Sequence, residues 1–205
     1  MITWGEGKPW AGQPDEYWEW KIRGRAVDEH GQPTGAASTL VESATAATTG
    51  DSTWSYDLSD GFLTWEQQAA SGGVDVGSYA MDLGEMQPWL IGPEVWRPSL
   101  YKNRLVFTQD GVEYADFASA SVQQMDPAGD FATVGPTYAA YFRGVPSGDG
   151  TAWAVVARGY KGLYQQVLLG DAGSPPWLSA PIATSATHIA FTANDALHLF
   201  TWQGD

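Results

Sequence analysis

Short apolar runs alternate with turn residues along most of the chain. HIAFT and ALHLFTWQG, for example, carry aromatic and branched side chains, and the turn residues Ala193-Asn194-Asp195 separate them. Runs of this length and composition between turn residues predict β-strands joined by hairpins. No helical stripe of useful length competes with this pattern, so the sequence predicts an all-β fold.

A short phrase recurs along the chain. WGEGKPW occupies residues 4–10 and LGEMQPW occupies residues 83–89. A third copy with two extra residues runs from Leu169 to Trp177, and a degraded copy from Met125 to Pro136 has Phe131 in place of Trp. The gap between the first two copies leaves room for another unit near residue 50. This spacing predicts five units of about 40–47 residues.

Each unit contains β-like runs with a turn between them. The predicted turns lie at Asp15, Asp60, Asn103, Asp149 and Asp195. Four units end in a third run; the last does not, and residues 1–6 (MITWGE) resemble the end of one. Because a closed ring of sheets leaves few exposed edges, the pattern predicts a small five-bladed β-propeller, one domain over residues 1–205, with residues 1–6 completing the fifth blade. A β-sandwich is the alternative.

Composition and charge narrow the function classes. The chain has 205 residues and a net charge of −14, from 24 acids and 10 bases. An acidic surface repels phosphate backbones, which argues against a nucleic-acid partner. The absence of cysteine excludes a disulfide framework and a cysteine zinc site, and no cofactor or metal is expected. No apolar run is long enough to span a membrane, and no signal peptide is visible. A virion or extracellular location is expected, with a cytoplasmic one left open.

Three tryptophans and three arginines are the candidate ligand-binding residues. Trp10, Trp89 and Trp177 end the Pro-Trp copies and could stack on sugar rings; the alternative is that they wedge between blades. Arginine donates bidentately to carboxylates or to sugar hydroxyls, and the alternative for Arg97, Arg143 and Arg158 is surface ion pairing.

Acids and histidines offer weaker candidates. The repeated acids Glu6, Glu85 and Asp171 are expected to bond backbone groups at turns after third strands. Glycosidase chemistry needs a pair of carboxylates, and nothing singles out a pair among Glu19, Asp57 and Glu66. His188 and His198 lie on neighbouring runs and could form half of a metal site if they face each other, but no third ligand has telling spacing.

Two segments resemble known propeller repeats. TAWAVVARGYKGLYQQ and DALHLFTWQGD resemble repeats of small β-propeller lectins, mainly over residues 148–205, with weaker likeness at 102–111 and 59–68. Residues 59–65 also resemble the Asp-box turn of sialidase-type propellers. The lectin resemblance implies sugar sites in or between adjacent blades, built from Trp, Tyr, Arg and acidic residues. It assigns no individual binding residue here.

The expected function is therefore a non-catalytic recognition module for glycans or cell surfaces, either a lectin-like protein or a phage adhesin. The alternative is a structural phage virion protein, from a tail or head surface, without a small ligand. A propeller glycoside hydrolase is a third reading. The expected partners are a glycan or surface receptor, or other virion proteins, and homo-oligomer formation is left open.

Overall fold

The computed structural model describes residues 1–10, 13–43, 56–67, 77–117, 119, 121–147, 150–162, 165–170 and 182–204. The regular structure of these residues is β-strand, and the described chain holds no helix long and apolar enough to cross a membrane. Its 18 described strands form five small sheets in which neighbouring strands pair antiparallel in chain order. The all-β prediction is confirmed.

The described residues divide into two compact units, Met1–Pro93 and Glu94–Asp205. The first unit contains sheets 1 and 2. Sheet 1 comprises β1 (Ile2–Trp10), β2 (Gln13–Val27) and β3 (Pro33–Ser43). Sheet 2 comprises β4 (Tyr56–Ser59), β5 (Phe62–Gln67), β6 (Gly77–Asp82) and β7 (Gln87–Gly92).

The second unit contains the other three sheets. Sheet 3 comprises β8 (Trp96–Tyr101), β9 (Arg104–Gln109), β10 (Gly111–Asp116) and β11 (Ser121–Asp126). Sheet 4 comprises β12 (Gly129–Val134), β13 (Tyr138–Ser147), β14 (Gly150–Gly159) and β15 (Gln165–Leu169). Sheet 5 comprises β16 (Ala183–Thr184), β17 (His188–Ala193) and β18 (Ala196–Thr201). The prediction of a single domain over residues 1–205 stays a prediction.

The core of the first unit lies between its two sheets. Ile22 of sheet 1 packs in one cluster with Leu63, Trp65 and Met81 of sheet 2. The Trp65 ring stacks on the Tyr79 ring with centroids 5.5 Å apart. Buried aliphatic and aromatic surface of this kind is the main source of stability for a small sheet pair.

Sheet 4 is the middle layer of the second unit. All five residues of β13 from Tyr138 to Phe142 are buried. Because side chains alternate across a strand, Tyr138 and Phe142 pack in the cluster shared with sheet 5, whereas Tyr141 packs in the cluster shared with sheet 3. Three sheets are therefore stacked face to face in chain order within this unit.

Four of the five predicted turns can be compared with the structure. Asp60-Gly61 and Asn194-Asp195 each join two strands with both residues at positive φ, the conformation that short hairpins favour. Asn103 lies in the tight turn between β8 and β9. The prediction at Asp15 is wrong, because Asp15 lies inside the long strand β2. Asp149 lies outside the described residues.

The predicted closure by the N-terminal strand is also wrong. Residues 2–10 pair with β2, beginning with Ile2 opposite Arg25, and the described strands of sheet 5 do not include them. The physical reason is proximity along the chain. A hairpin between consecutive strands closes a short loop, and closing a short loop costs less entropy than pairing strands from opposite ends of the chain.

Candidate functional site

One of the three candidate tryptophans lies exposed at the edge of sheet 2. Trp89 is on the outer strand β7, is 40% exposed, and meets the Phe62 ring edge-on with centroids 6.5 Å apart. In the register of the sheet, Phe62 lies opposite Asp82, and Asp82 lies opposite Gln87. These four residues occupy one face of the sheet because residues opposite each other share a face, and Trp89 lies two positions beyond Gln87 on the same strand. We call them the Trp89 site.

The local sequence places this tryptophan at the surface. Leu83-Gly84-Glu85-Met86 forms the turn that returns the chain from β6 to β7, with Met86 at φ 55°. Pro88 has no N–H to donate, and it lies on a strand that pairs on one side only. Proline is tolerated on such an edge strand. Trp89 follows Pro88 directly and therefore also lies on the outermost strand of the sheet.

Two polar side chains on the same sheet face as Trp89 keep hydrogen-bonding capacity. One carboxylate oxygen of Asp82, Oδ1, accepts a bond from the Gly84 N–H at 2.7 Å. Within the described residues, the second oxygen of Asp82 and the amide of the exposed Gln87 have no hydrogen-bond partner. A carboxylate accepts and an amide both accepts and donates. The site therefore combines an exposed aromatic surface with an acceptor and a donor.

The Pro-Trp copies are not structurally equivalent. LGEMQPW makes a turn and then a strand, whereas WGEGKPW lies entirely in strand β1. Trp10 lies opposite Gln13 at the end of β1. Trp177 lies outside the described residues. Of the three predicted platforms, Trp89 is the one whose side chain the structure describes.

The repeated acids differ in the same way. Glu85 lies in the turn before β7, as predicted. Glu6 does not precede a turn. It lies within β1, where its carboxylate accepts from the Trp4 indole at 3.0 Å and pairs with Arg23 at 3.3 Å. Asp171 lies outside the described residues.

Arg97 is held in a cluster of its own. Its guanidinium lies 3.2 Å from the centroid of the Phe131 ring and pairs with Asp130 at 3.4 Å. Arg97 and Phe131 both have positive φ, and each lies at an irregularity in the pairing of its strand. Such bulges re-aim side chains, and here they bring a cation over a ring. The predicted ion pairing of this arginine is thus present, with an aromatic contact added.

Arg143 and Arg158 each contact the end of strand β11. The Asp126 carboxylate is 2% exposed and accepts from the Tyr141 hydroxyl at 3.0 Å and the Ala128 N–H at 3.0 Å. The Arg143 Nε atom lies 3.2 Å from the same carboxylate, and Arg158 donates to the carbonyl of Met125. We call Asp126, Tyr141, Arg143 and Arg158 the Asp126 cluster.

The electrostatics of the Asp126 cluster favour the neutral phenol of Tyr141. Burial, followed by the negative charge of Asp126, raises the pKa of Tyr141 well above its usual value. The positive charges of Arg158 and Arg143 act in the opposite direction and do not outweigh them. Tyr141 therefore serves Asp126 as a hydrogen-bond donor. The cluster joins sheet 3 to sheet 4.

Asp57 and Glu66 share one face of sheet 2, whereas His188 and His198 lie on opposite faces of sheet 5. Asp57 and Glu66 lie on neighbouring strands of sheet 2, and the side chain of Glu19 is outside the described set. His198 lies opposite Phe191, whereas His188 points to the other face of sheet 5, so the two histidines do not face each other. In the part of the chain that the structure describes, no group of three or more His, Asp or Glu could hold a metal ion.

The sequence did not reveal the polar residues of the Trp89 site or of the Asp126 cluster. Asp82 and Gln87 adjoin the turn of LGEMQPW, and their pairing with Phe62 depends on strand register, which no local signal reveals. Asp126 was visible as part of a degraded repeat, but its burial under Tyr141 and Arg143 was not.

The chain matches no protein-family model and no curated protein sequence.

Proposed function

We propose that this protein is a non-catalytic recognition module that binds glycans through the Trp89 site. The observation that carries the proposal is the exposed Trp89 ring on the same sheet face as two polar side chains with unused hydrogen-bonding capacity. A sugar ring has an apolar C–H face that packs on an aromatic ring and hydroxyls that bond to carboxylates and amides. Small-ligand sites commonly combine aromatic surface with a few placed polar groups in this way.

The site suits weak binding strengthened by multiple contacts. It is an open surface at a sheet edge, so a single sugar would lose little of its hydration. A dissociation constant of about 1 mM corresponds to about −4.1 kcal/mol, which is a reasonable expectation for one exposed ring and two or three hydrogen bonds. Glycans displayed densely on a cell or virion surface would raise the effective affinity through multivalency.

We further propose that the five sheets are blades of a five-bladed propeller. What supports this arrangement is the stacking within each unit: sheet 1 packs on sheet 2, and sheets 3, 4 and 5 stack in chain order. A blade of a propeller is covered on both faces by its neighbours, as sheet 4 is. A two-layer β-sandwich does not contain a sheet of this kind.

A multivalent glycan array tests the binding proposal. The wild-type protein, displayed on beads, should bind a subset of glycans, and Trp89→Ala should lose that binding. Leu90→Ala is a matched control because Leu90 is equally exposed (41%) on the same strand but points to the opposite face. Absence of binding by the wild type, or equal loss in both variants, would reject the Trp89 site.

A further inference from the structure

Two arginines of sheet 4 are anchored on consecutive residues of sheet 3. Arg143 pairs with the carboxylate of Asp126, and Arg158 donates to the carbonyl of Met125. The two side chains come from neighbouring strands, β13 and β14, and both positive charges act on the hydroxyl of Tyr141, which lies opposite Val156 between them. The two guanidinium groups are therefore anchored on consecutive residues at the end of β11.

The charges at this place do not cancel. Asp126 is the buried carboxylate of the cluster, and one guanidinium is enough to neutralise it. The second guanidinium leaves an excess positive charge, although the whole chain carries −14 with only 10 basic residues. A local cationic site in a strongly acidic protein attracts a small anion, which the rest of the surface repels.

Both guanidinium groups keep most of their donors. A guanidinium carries five N–H donors in a planar fork, and within the described residues Arg143 and Arg158 each make one contact to a protein oxygen. The Arg143 side chain is 38% exposed. Gly162, at φ 72°, approaches Arg158 without a side chain, since a Cβ there would lie 3.8 Å from Nη2. The donors that remain have no protein acceptor among the described residues.

We infer that Arg143 and Arg158 form a binding site for an oxyanion, such as the carboxylate of an acidic sugar or a sulfate group. The planar fork of arginine matches two oxygens of a carboxylate or sulfate, and charge-assisted bonds of this kind are about twice as strong as neutral ones. Asp126 and Tyr141 are positioning residues that hold Arg143. This site is built from other residues than the Trp89 site and does not rest on the proposed glycan function.

Titration with simple anions tests the inference. Sodium sulfate, sodium acetate and sodium glucuronate are added to the full chain at matched ionic strength, with sodium chloride and neutral glucose as references, and thermal unfolding is followed. An oxyanion that binds the folded state should raise the melting temperature in a saturable way. Sulfate alone or glucuronate alone would identify the source of the oxyanion, and no saturable rise with any of the three would overturn the inference.

Arg158→Lys provides the decisive variant because it keeps the charge but loses the fork. The apparent affinity for the active anion should fall at least tenfold, and Arg97→Lys, which alters the separate Asp130 pair, should leave it unchanged. Trp89→Ala should also leave it unchanged, which separates this test from that of the glycan proposal. An unchanged affinity in Arg158→Lys would overturn the assignment even if the anion binds elsewhere.

Discussion

Tyr138 joins sheet 4 to sheet 5 through its hydroxyl, which donates to the carbonyls of Ser185 and His188 at 3.0 Å each. Its ring stacks on Trp202 with centroids 4.6 Å apart. Burial raises the pKa of Tyr138 from 10.0 to about 12. The folded state therefore holds the phenol proton more tightly than the unfolded state does.

This difference predicts a loss of stability at high pH. Because the folded-state pKa is raised, the contribution is fully present below pH 10 and is lost as the pH rises towards about 12. Urea unfolding at pH 8, 10 and 11 should show a steeper decline for the wild type than for Tyr138→Phe. Tyr141 and Tyr160 also have raised pKa values, so some decline should remain in the variant. Identical declines would contradict the assignment to Tyr138.

Single residues also show how far the sequence could predict the site. Trp89, Arg143 and Arg158 stood out because Trp is bulky and repeated, and because bases are rare in this chain. Their partners could not be predicted, since Asp82 and Asp126 owe their roles to strands that are brought alongside by folding. A residue type can be read from the sequence, whereas a cross-strand neighbour requires the register.

At the scale of elements, the close contact of sheets 3 and 4 depends on a glycine. Gly129 begins β12, and a Cβ at this position would lie 2.7 Å from Val112 Cγ2 and 2.9 Å from Tyr141 Cδ2. Gly129→Ala should therefore destabilise the protein by about 1–3 kcal/mol through overpacking. The urea midpoint measures this change.

Gly170→Ala is the matched control, because a Cβ on Gly170 would meet nothing within 4 Å. Its free energy of unfolding should stay within about 0.5 kcal/mol of the wild type, as expected for an exposed surface substitution. If Gly129→Ala behaves like this control, the described packing of β12 against Val112 and Tyr141 is wrong.

Hairpins were predicted better than the repeated phrase. The turns at Asp60-Gly61 and Asn194-Asp195 carry residues that tolerate positive φ, so their chemistry is local and readable. WGEGKPW and LGEMQPW share spacing but not structure, because the first copy is held in β1 by its pairing with β2. Residues that favour a turn can be recognised in a sequence. Pairing with a neighbouring strand can nevertheless hold a turn-like motif in an extended strand.

At the scale of the whole molecule, the propeller proposal makes a prediction about sheet 5. Leu197 and Leu199 of β18 point away from the core that sheet 5 shares with sheet 4, and Leu199 is 67% exposed. A blade in a closed ring is covered on this face as well. The closed ring therefore requires Leu199 to be sheltered in solution.

Thiol labelling can test that requirement because the chain contains no cysteine. A cysteine introduced by Leu199→Cys should react with a maleimide at least tenfold more slowly than one introduced by Val167→Cys, which replaces a 57%-exposed residue on the outer strand β15. Equal labelling rates in two folded variants would contradict ring closure at sheet 5.

The central claim is that the molecule recognises a glycan through Trp89, and calorimetric titration with the best glycan from the array tests it most directly. Trp89→Ala should weaken binding at least tenfold, or about 1.4 kcal/mol, while Leu90→Ala binds like the wild type. Because Trp89 is 40% exposed, the variant should stay folded, which its circular dichroism spectrum would verify. A folded Trp89→Ala protein that binds the glycan with unchanged affinity would contradict the claim.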